Sequence, residues 1–445
     1  MKPMMQKIAD AAAFARDETG SASVAGLMFT VVFATLGAVA VDITNLYAAR
    51  THLQVAADQA AHAALYNRNY MDADTAKTRA LDVVLATLPS DRYGAALTEE
   101  NIEFGYYSRV TGFFTVDEAS NQAVRVRTSF LEERTNAVST YLFKLVGYDS
   151  FDVATQAIYT TYRPACMREG FVAEDYVDIQ SNNGFTSGFC IHSNTYVSLN
   201  SNNYFEPGTV VSMPDLQNLD LPKSGFETNE GLRAALRQSQ MNIRILDRID
   251  GIIARFQRPT SDLIGRDIPD IPAYITNLVP VRLNSRTITS ETLVPGFIYH
   301  LSCSGKSVTI NANTPLRGVV VVAPCEIKFA NNSTVEDAII ISTDTGDNSI
   351  NSPSGLQLGR NDNCAEGGGV QVITKGGMNF ASDLSMYGSQ LIAEGDIEFA
   401  ANANGIQGAS IISAATINGT SNMDMGFCGT GMEGNFEIDY FRLAL

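Results

Sequence analysis

Hydrophobic positions near the start of the chain form one long run. Residues 22–41 include no charged side chain, and about 20 apolar residues match the thickness of a bilayer core. The run therefore predicts one transmembrane helix after a cytoplasmic tail of residues 1–21. More cations precede the run than follow it closely. Lys2, Lys7 and Arg16 stand before it, and Arg50 stands after it. By the positive-inside rule, we expect the N-terminus to be cytoplasmic and the body to lie outside the membrane.

The end of the apolar run leaves its processing open. Ala38, Val39 and Ala40 form the small-x-small pattern that signal peptidase cuts. The helical pattern nevertheless passes through Val41 without a break, which favours an uncleaved anchor. We expect the helix to extend outside the membrane to residue 71.

An apolar seam follows the membrane segment. Its members recur at alternating steps of three and four, as Leu46, Ala49, Leu53, Ala56, Ala60 and Ala63. Alanine leaves little side chain between helix backbones, so the seam suits close packing on another helix. That helix belongs either to the same domain or to a partner protein.

The pattern from residue 72 to 165 mixes helical and strand periods. It predicts a helix near 72–88, strands at Ile102–Tyr107 and Ala123–Phe130, a helix near 132–146 and a strand within 151–162. This is a small α+β domain beside the membrane.

Internal repetition dominates the rest of the chain. YVDIQSNN from Tyr176 recurs as YVSLNSNN from Tyr196, and similar units begin at Val321, Val372, Leu391 and Ile411. Short strands at a period of about 20 residues bury an apolar face only when they stack. The repeats predict a parallel β-solenoid, with a right-handed coil, in two blocks over 166–214 and 277–445. A β-sandwich is the alternative.

Asparagine recurs at matching turns of these units. Its tolerance of left-handed backbone favours sharp corners, and stacked amides can form hydrogen-bonded ladders. The positions are Asn182, Asn183, Asn202, Asn203, Asn313, Asn331, Asn332, Asn402 and Asn404.

A helical insertion is predicted between the blocks, at 215–276. Its apolar stripe comprises Leu232, Leu236, Ile243, Leu246, Ile249, Ile253 and Phe256, and Pro259 ends it. Its other face carries Arg233, Arg237, Arg244, Arg248, Arg255 and Arg258. These arginines either contact a partner or pair with the solenoid's own carboxylates.

The six cysteines all lie downstream of the membrane segment, and none forms a CxxC pair. This spacing is poor for zinc and suits disulfides in an oxidising compartment. Of fifteen pairings, we favour the neighbours Cys166–Cys190, Cys303–Cys325 and Cys364–Cys428.

Charge and chemistry argue for a structural protein. The net charge of -17 and pI near 4.7 argue against a nucleic-acid binder, which needs clustered cations. His52, His62, His192 and His300 show no metal spacing, and Asp396 and Glu398 alternate outward, where charge is expected. Asp344, Asp347 and Asp362 could bind calcium, but surface turns often have this composition. We expect no catalytic, metal or cofactor site. Because some parallel β-helices cleave or bind polysaccharide, a polysaccharide-directed protein is the alternative; a third interpretation is an adhesive solenoid.

The N-terminal region resembles a known family. Gly20 and Ser21 precede the apolar run, Val41 and Asp42 end it, and AARTHLQVAADQAAHAAL follows from Ala48. Over residues 16–65 this order is similar to that of TadE/TadG-like proteins of Flp/Tad pilus assembly. The resemblance implies an inner-membrane protein with a periplasmic body that serves pilus assembly or anchoring. Its expected partners are Flp/Tad assembly proteins or pilins, contacted through the Leu46–Ala63 seam.

Two features depart from the family pattern. Prepilin-like members place Glu five residues after the cleavage glycine, whereas Ala25 stands here, which argues against processing after Gly20. Longer members carry a von Willebrand A domain with a DxSxS metal motif, and this sequence has none.

Overall fold

A computed structural model describes residues 19–260, 271–303 and 305–444. The predicted cytoplasmic tail lies almost entirely outside these residues, and so do the cations that precede the apolar run. The chain forms two compact units, Met1–Thr161 with Phe441–Leu445, and Tyr162–Tyr440.

The first unit is built on one helix of 50 residues, α1 (Thr19–Arg68). It continues without a break from the apolar run into the alanine-rich seam. Two further helices follow, α2 (Ala73–Thr87), capped by the Asp72 side chain, and α3 (Ser90–Tyr93). These bounds confirm the predicted helix near 72–88.

An antiparallel sheet packs against these helices. Its strands include β1 (Ile102–Tyr107), β2 (Phe114–Val116), β3 (Ala123–Phe130) and β6 (Val153–Tyr162), in the order β2-β1-β3-β6 and then the C-terminal strand Tyr440–Leu443. The predicted strands are confirmed.

The predicted helix near 132–146 is wrong. A 3-10 turn over Glu132–Arg134 ends at Thr135, whose φ is 57°. The chain then forms β4 (Val138–Ser139), which pairs with β5 (Ser150–Phe151), and a second 3-10 turn at Phe143–Val146. Contacts with α1 hold this loop, so the tertiary environment overrides its helical pattern.

The second unit is a parallel β-solenoid of about 12 turns, which rules out the β-sandwich. Three strand-forming faces alternate along the chain. The strands are β7 (Gly170–Ala173), β8 (Tyr176–Ile179), β9 (Gly184–Phe185), β10 (Cys190–Ser193), β11 (Tyr196–Leu199), β12 (Tyr204–Phe205), β13 (Val210–Met213), β14 (Leu236–Gln238), β15 (Asn277–Leu283), β16 (Thr287–Thr289), β17 (Phe297–Leu301), β18 (Ser307–Asn311), β19 (Leu316–Ala323), β20 (Glu326–Phe329), β21 (Thr334–Ser342), β22 (Ile350–Ser352), β23 (Gln357–Leu358), β24 (Val370–Thr374), β25 (Met378–Ala393), β26 (Ile397–Ser413), β27 (Ile417–Gly419) and β28 (Asp424–Gly426).

The repeat predicts the register of this solenoid. Tyr176 lies opposite Tyr196, and Leu391 lies between Val372 and Ile411 on successive turns. Buried apolar side chains point inward from all three faces and form one continuous core.

The stacking order of the turns differs from their order in sequence. On the first face the strands stack as β14, β13, β10, β7, the end of β26, the end of β25, β24, β21, β19, β17 and β15. Ile411 in the last full turn thus lies beside Phe171 in the first. The two predicted blocks are therefore one solenoid, which the chain enters in the middle.

Asparagine ladders hold the corners of the central turns. The side-chain oxygen of Asn203 accepts the backbone N–H of Asn183 at 3.0 Å, and that of Asn183 accepts the N–H of Met423 at 2.9 Å. Asn182 and Asn202 have left-handed backbone, with φ of 63° at each. The ladder prediction is confirmed at Asn183 and Asn203. The structure does not describe the side chains of Asn402 and Asn404.

The segment after β13 crosses from one end of the solenoid towards the other. Its predicted continuous helix is wrong: the chain forms α4 (Leu232–Ala235), then β14, a 3-10 turn at Leu246–Arg248 and only then α5 (Ile249–Gln257). β14 extends the first face, and the Asn194 side chain bonds both backbone groups of Met241. These contacts replace the helical hydrogen bonds.

The crossing segment covers the outer side of the first face, which is also apolar. The crossing segment, Phe436 and Ile438 bury a row of isoleucine and valine side chains on this outer side. The row includes Val172, Ile298, Val320, Ile339, Ile341, Ile373, Ile392 and Ile412. Apolar burial on both sides of this face fixes the path of the crossing segment.

All three predicted disulfides are present, Cys166–Cys190, Cys303–Cys325 and Cys364–Cys428. They indicate an extracytoplasmic body.

Candidate membrane anchor and assembly surfaces

The first candidate site is the apolar part of α1. Its large apolar side chains are exposed, among them Leu27 at 66% and Phe33 at 69%. At 1.5 Å per residue, 20 residues span about 30 Å, the thickness of the hydrocarbon core. Among the described residues, this is the one helix long and apolar enough to cross a membrane. Its properties are those of a membrane anchor or a signal sequence.

The alanine seam of α1 packs inside its own domain. Leu53, Ala56 and Ala60 are fully or almost fully buried, in one cluster with α2 and the sheet. Alanines on both helices, including Ala76 and Ala80 of α2, allow this close approach. This part of the seam therefore packs within the same domain, the first of the two alternatives, and a partner contact through residues 46–63 stays a prediction.

Asp42 joins the end of the apolar run to the folded domain. Its buried carboxylate accepts the backbone N–H groups of Tyr141, Leu142 and Phe143 at 2.6, 2.9 and 2.7 Å. Burial alone would raise the pKa of Asp42, but these three donors and the charge of Lys144 outweigh it and lower the pKa. The sequence points to Asp42 only through the family resemblance, because the backbone groups that Asp42 binds lie in a loop predicted to be helical.

The arginines of the crossing segment do not form one face. Arg233 stacks over the Phe226 ring at 3.9 Å, whereas Arg244 donates to the backbone oxygen of Asp439. The single helix that would align them is absent from this described segment, so the predicted Arg233–Arg258 helix is wrong, whereas contact of these arginines with a partner stays a prediction.

A polar column follows the outer side of the second face. Successive turns place one polar side chain each in register, none of them buried. The column comprises Thr287, Thr309, Lys328, Asn351, Asn379, Glu398, Asn418, Asp178 and Ser198. Neighbouring members bond one another, as Asn379 does to Glu398 at 3.1 Å. Such a regular face is the feature that a glycan-binding solenoid requires.

Two stacked tyrosines lie at one end of this column. The rings of Tyr176 and Tyr196 are 5.1 Å apart and inclined by 18°. Burial and the nearby Asp220 carboxylate raise the pKa of Asp178 beside them, against a hydrogen bond from Ser198 that lowers it. The end of the column is thus both aromatic and acidic.

Other candidate chemical groups are engaged in structural contacts. Asp344 accepts the N–H of Gly346, and Asp362 pairs with Arg360 at 2.6 Å. His192 is buried between Ser212 and Asn194. In the described part of the chain, no three histidine, cysteine or acidic side chains are grouped to hold a metal ion.

A cavity of about 590 Å³ lies between the crossing segment and the C-terminal residues of this unit. One of its carboxylates, Glu437, already pairs with Arg163 and Arg168.

Comparison with known proteins divides the chain in the same way as the structure. Residues 20–74 match the Tad family, described as putative Flp pilus-assembly TadE/G-like, which confirms the resemblance of the N-terminal region. Neither the curated proteins nor the solved structures include a match. Residues 170–429, more than half of the 445-residue chain, match the domain of unknown function DUF7867. The chain therefore belongs to the DUF7867 family and carries a TadE/G-like domain at its N-terminus.

Proposed function

We propose that this protein is a structural component of Flp/Tad pilus assembly or anchoring. Its N-terminus is cytoplasmic, α1 crosses the inner membrane once without being cleaved, and the solenoid lies in the periplasm. The observation that carries the proposal is the continuity of α1. The helix runs from an exposed apolar span into the buried core of a folded domain, all within or next to the Tad match.

The solenoid suits a scaffolding role. About 12 turns, at ~4.8 Å per turn, give a rod of roughly 55 Å. Parallel stacking, three disulfides and a face buried on both sides make such a rod stiff. A stiff rod on a membrane anchor can span or cap periplasmic space beside a pilus.

The test has two parts. The tagged full-length protein is extracted from membranes and purified with its partners, and mass spectrometry identifies both the partners and the N-terminus of the chain. Recovery of Flp/Tad secretin, platform or pilin components with residues 1–40 still attached supports the proposal. Normal assembly and anchoring of Flp-type pili after gene deletion would refute it.

Polysaccharide binding is a second candidate function, which the polar column and the tyrosine pair favour. Aromatic rings stack on sugar faces, and amide and carboxylate groups bond their hydroxyls. We expect Tyr176→Ala with Tyr196→Ala to weaken retention of the protein in affinity gels containing periplasmic or surface polysaccharide. Tyr204→Ala changes an exposed tyrosine on the third face and serves as the matched control. Equal retention of all variants would exclude this surface.

A further inference from the structure

The loop of residues 140–148 exposes an unusual set of apolar side chains. Leu145 is 78% exposed, Tyr141 and Tyr148 are each 59% exposed, and Leu142 is 37% exposed. On a water-exposed protein surface, one short loop seldom carries so many exposed apolar side chains without a binding role.

The loop is held at a defined level along α1. Asp42 binds three consecutive N–H groups of the loop, and the Asn45 side chain donates to the backbone oxygen of Ser139 at 3.2 Å. Asp42 directly follows the apolar span, which ends at Val41. The loop therefore lies where α1 would leave the hydrocarbon core.

The loop also holds its own shape. The Phe151 ring stacks on Tyr148 with centroids 5.9 Å apart and meets Phe143 edge-on, also at 5.9 Å. Because these contacts fix the backbone, the exposed side chains are presented together and lose little conformational freedom on binding.

We infer that the 140–148 loop inserts into the lipid headgroup region of the periplasmic leaflet, as a second membrane contact beside α1. Tyrosine rings favour the depth of the headgroups, leucine favours the acyl boundary just below, and the exposed Lys144 can extend to lipid phosphates. The occupant is lipid and not protein, because the loop is bound to α1 directly beyond the apolar span of that helix. This inference rests on the proposed function, which makes residues 22–41 a membrane anchor.

The absence of tryptophan from the sequence makes a direct test available. The full-length protein is reconstituted into phospholipid vesicles as three single-tryptophan variants, and fluorescence is measured with and without brominated acyl chains, which quench on contact. Leu145→Trp reports on the loop and Phe33→Trp on the apolar span. Val55→Trp is the matched control: it is an exposed apolar site on the same helix, about 20 Å beyond Asp42 at 1.5 Å per residue.

We expect Leu145→Trp to show blue-shifted emission and loss of fluorescence in brominated vesicles, and Val55→Trp to show no loss. If Phe33→Trp is quenched and Leu145→Trp is not, the loop inference is wrong while the anchor stands. A blue shift at Leu145→Trp without quenching would mean that protein covers the loop, which also overturns the inference. If even Phe33→Trp escapes quenching, the membrane anchor itself fails. Should Leu145→Trp not fold, Leu142→Trp gives the same readout.

Discussion

Replacing Phe171 by alanine should weaken the solenoid on both sides of the junction between its first and last turns. Phe171 is fully buried and lies opposite Ile191 in the next turn of the chain and Ile411 in the last full turn. Its ring meets Phe189 at 5.1 Å and Phe399 at 5.5 Å between centroids. One side chain thus packs against segments more than 200 residues apart in sequence.

The cost can be worked out from these contacts. Truncation of a buried phenylalanine to alanine costs about 3–5 kcal/mol, and each aromatic pair adds about 0.5–1.5 kcal/mol beyond the area that it buries. Since Phe171 loses two such pairs in a site with little room to collapse, we expect the upper part of that range, about 4–5 kcal/mol.

Hydrogen exchange of the full-length protein shows which turns lose stability. Turns of a solenoid interact mainly with their neighbours, so Phe171→Ala should reduce amide protection in Cys190–Ser193 and in residues 397–413 and leave Ser307–Asn311 protected. Phe205→Ala is the matched control, because Phe205 is equally buried but stacks on Phe185, away from the last turn. A loss confined to residues 170–193 in the Phe171 variant would refute the stacking order.

Three further predictions follow from single contacts. Asp42→Asn removes the charge that holds three N–H groups, so the 140–148 loop should exchange and be cleaved by protease faster than in the native protein, with α1 unchanged. Ala60→Leu should destabilise the first unit by about 1–3 kcal/mol in urea unfolding, because it overpacks the helix interface, whereas Val55→Leu at an exposed site should be close to neutral. Burial lowers the pKa of His192 despite its bond to Asn194; the stability that this neutral ring contributes is present above the ordinary histidine pKa of about 6.5 and is lost as pH falls through the lowered value. Between pH 8 and 5, the unfolding temperature of the native protein should therefore fall more steeply than that of His192→Gln. Parallel plots of unfolding temperature against pH for the two proteins would contradict this.

The solenoid was predictable because its repeat is visible in short stretches of the sequence. Two apolar residues, a polar corner and an apolar-x-apolar triplet recur at nearly constant spacing, and each turn satisfies the same pattern whatever lies above it. For the same reason the pattern does not encode which turn lies on which. The strand that begins at Gly170 fits the turn at Ile411 as well as it fits the turn at Cys190, and the structure uses both.

Long-range contacts explain the errors. The apolar period from Leu232 to Phe256 has two sources: Leu232 packs into the solenoid core, whereas Ile243 to Phe256 cover the outer side of the first face. Period alone does not separate this arrangement from one continuous helix. The 132–146 stretch contains good helix formers, but capture of its N–H groups by Asp42, about 100 residues earlier, leaves no intrahelical partners there. The three disulfides were predictable because each joins cysteines that are neighbours in the sequence order.

Entry to the solenoid in the middle brings the two ends of this unit together. Because the first turn stacks on the last, the segments by which the chain enters and leaves this unit can contact each other. Arg163 pairs with Asp439 at 3.1 Å, Arg168 pairs with Glu437 at 3.0 Å, and the rings of Tyr162 and Tyr440 are 5.9 Å apart. Ion pairs and an aromatic contact thus tie together the two ends of this unit, which are far apart in the sequence. Because the sequence repeat alone does not place the first turn on the last, these contacts between the ends could not be predicted from it.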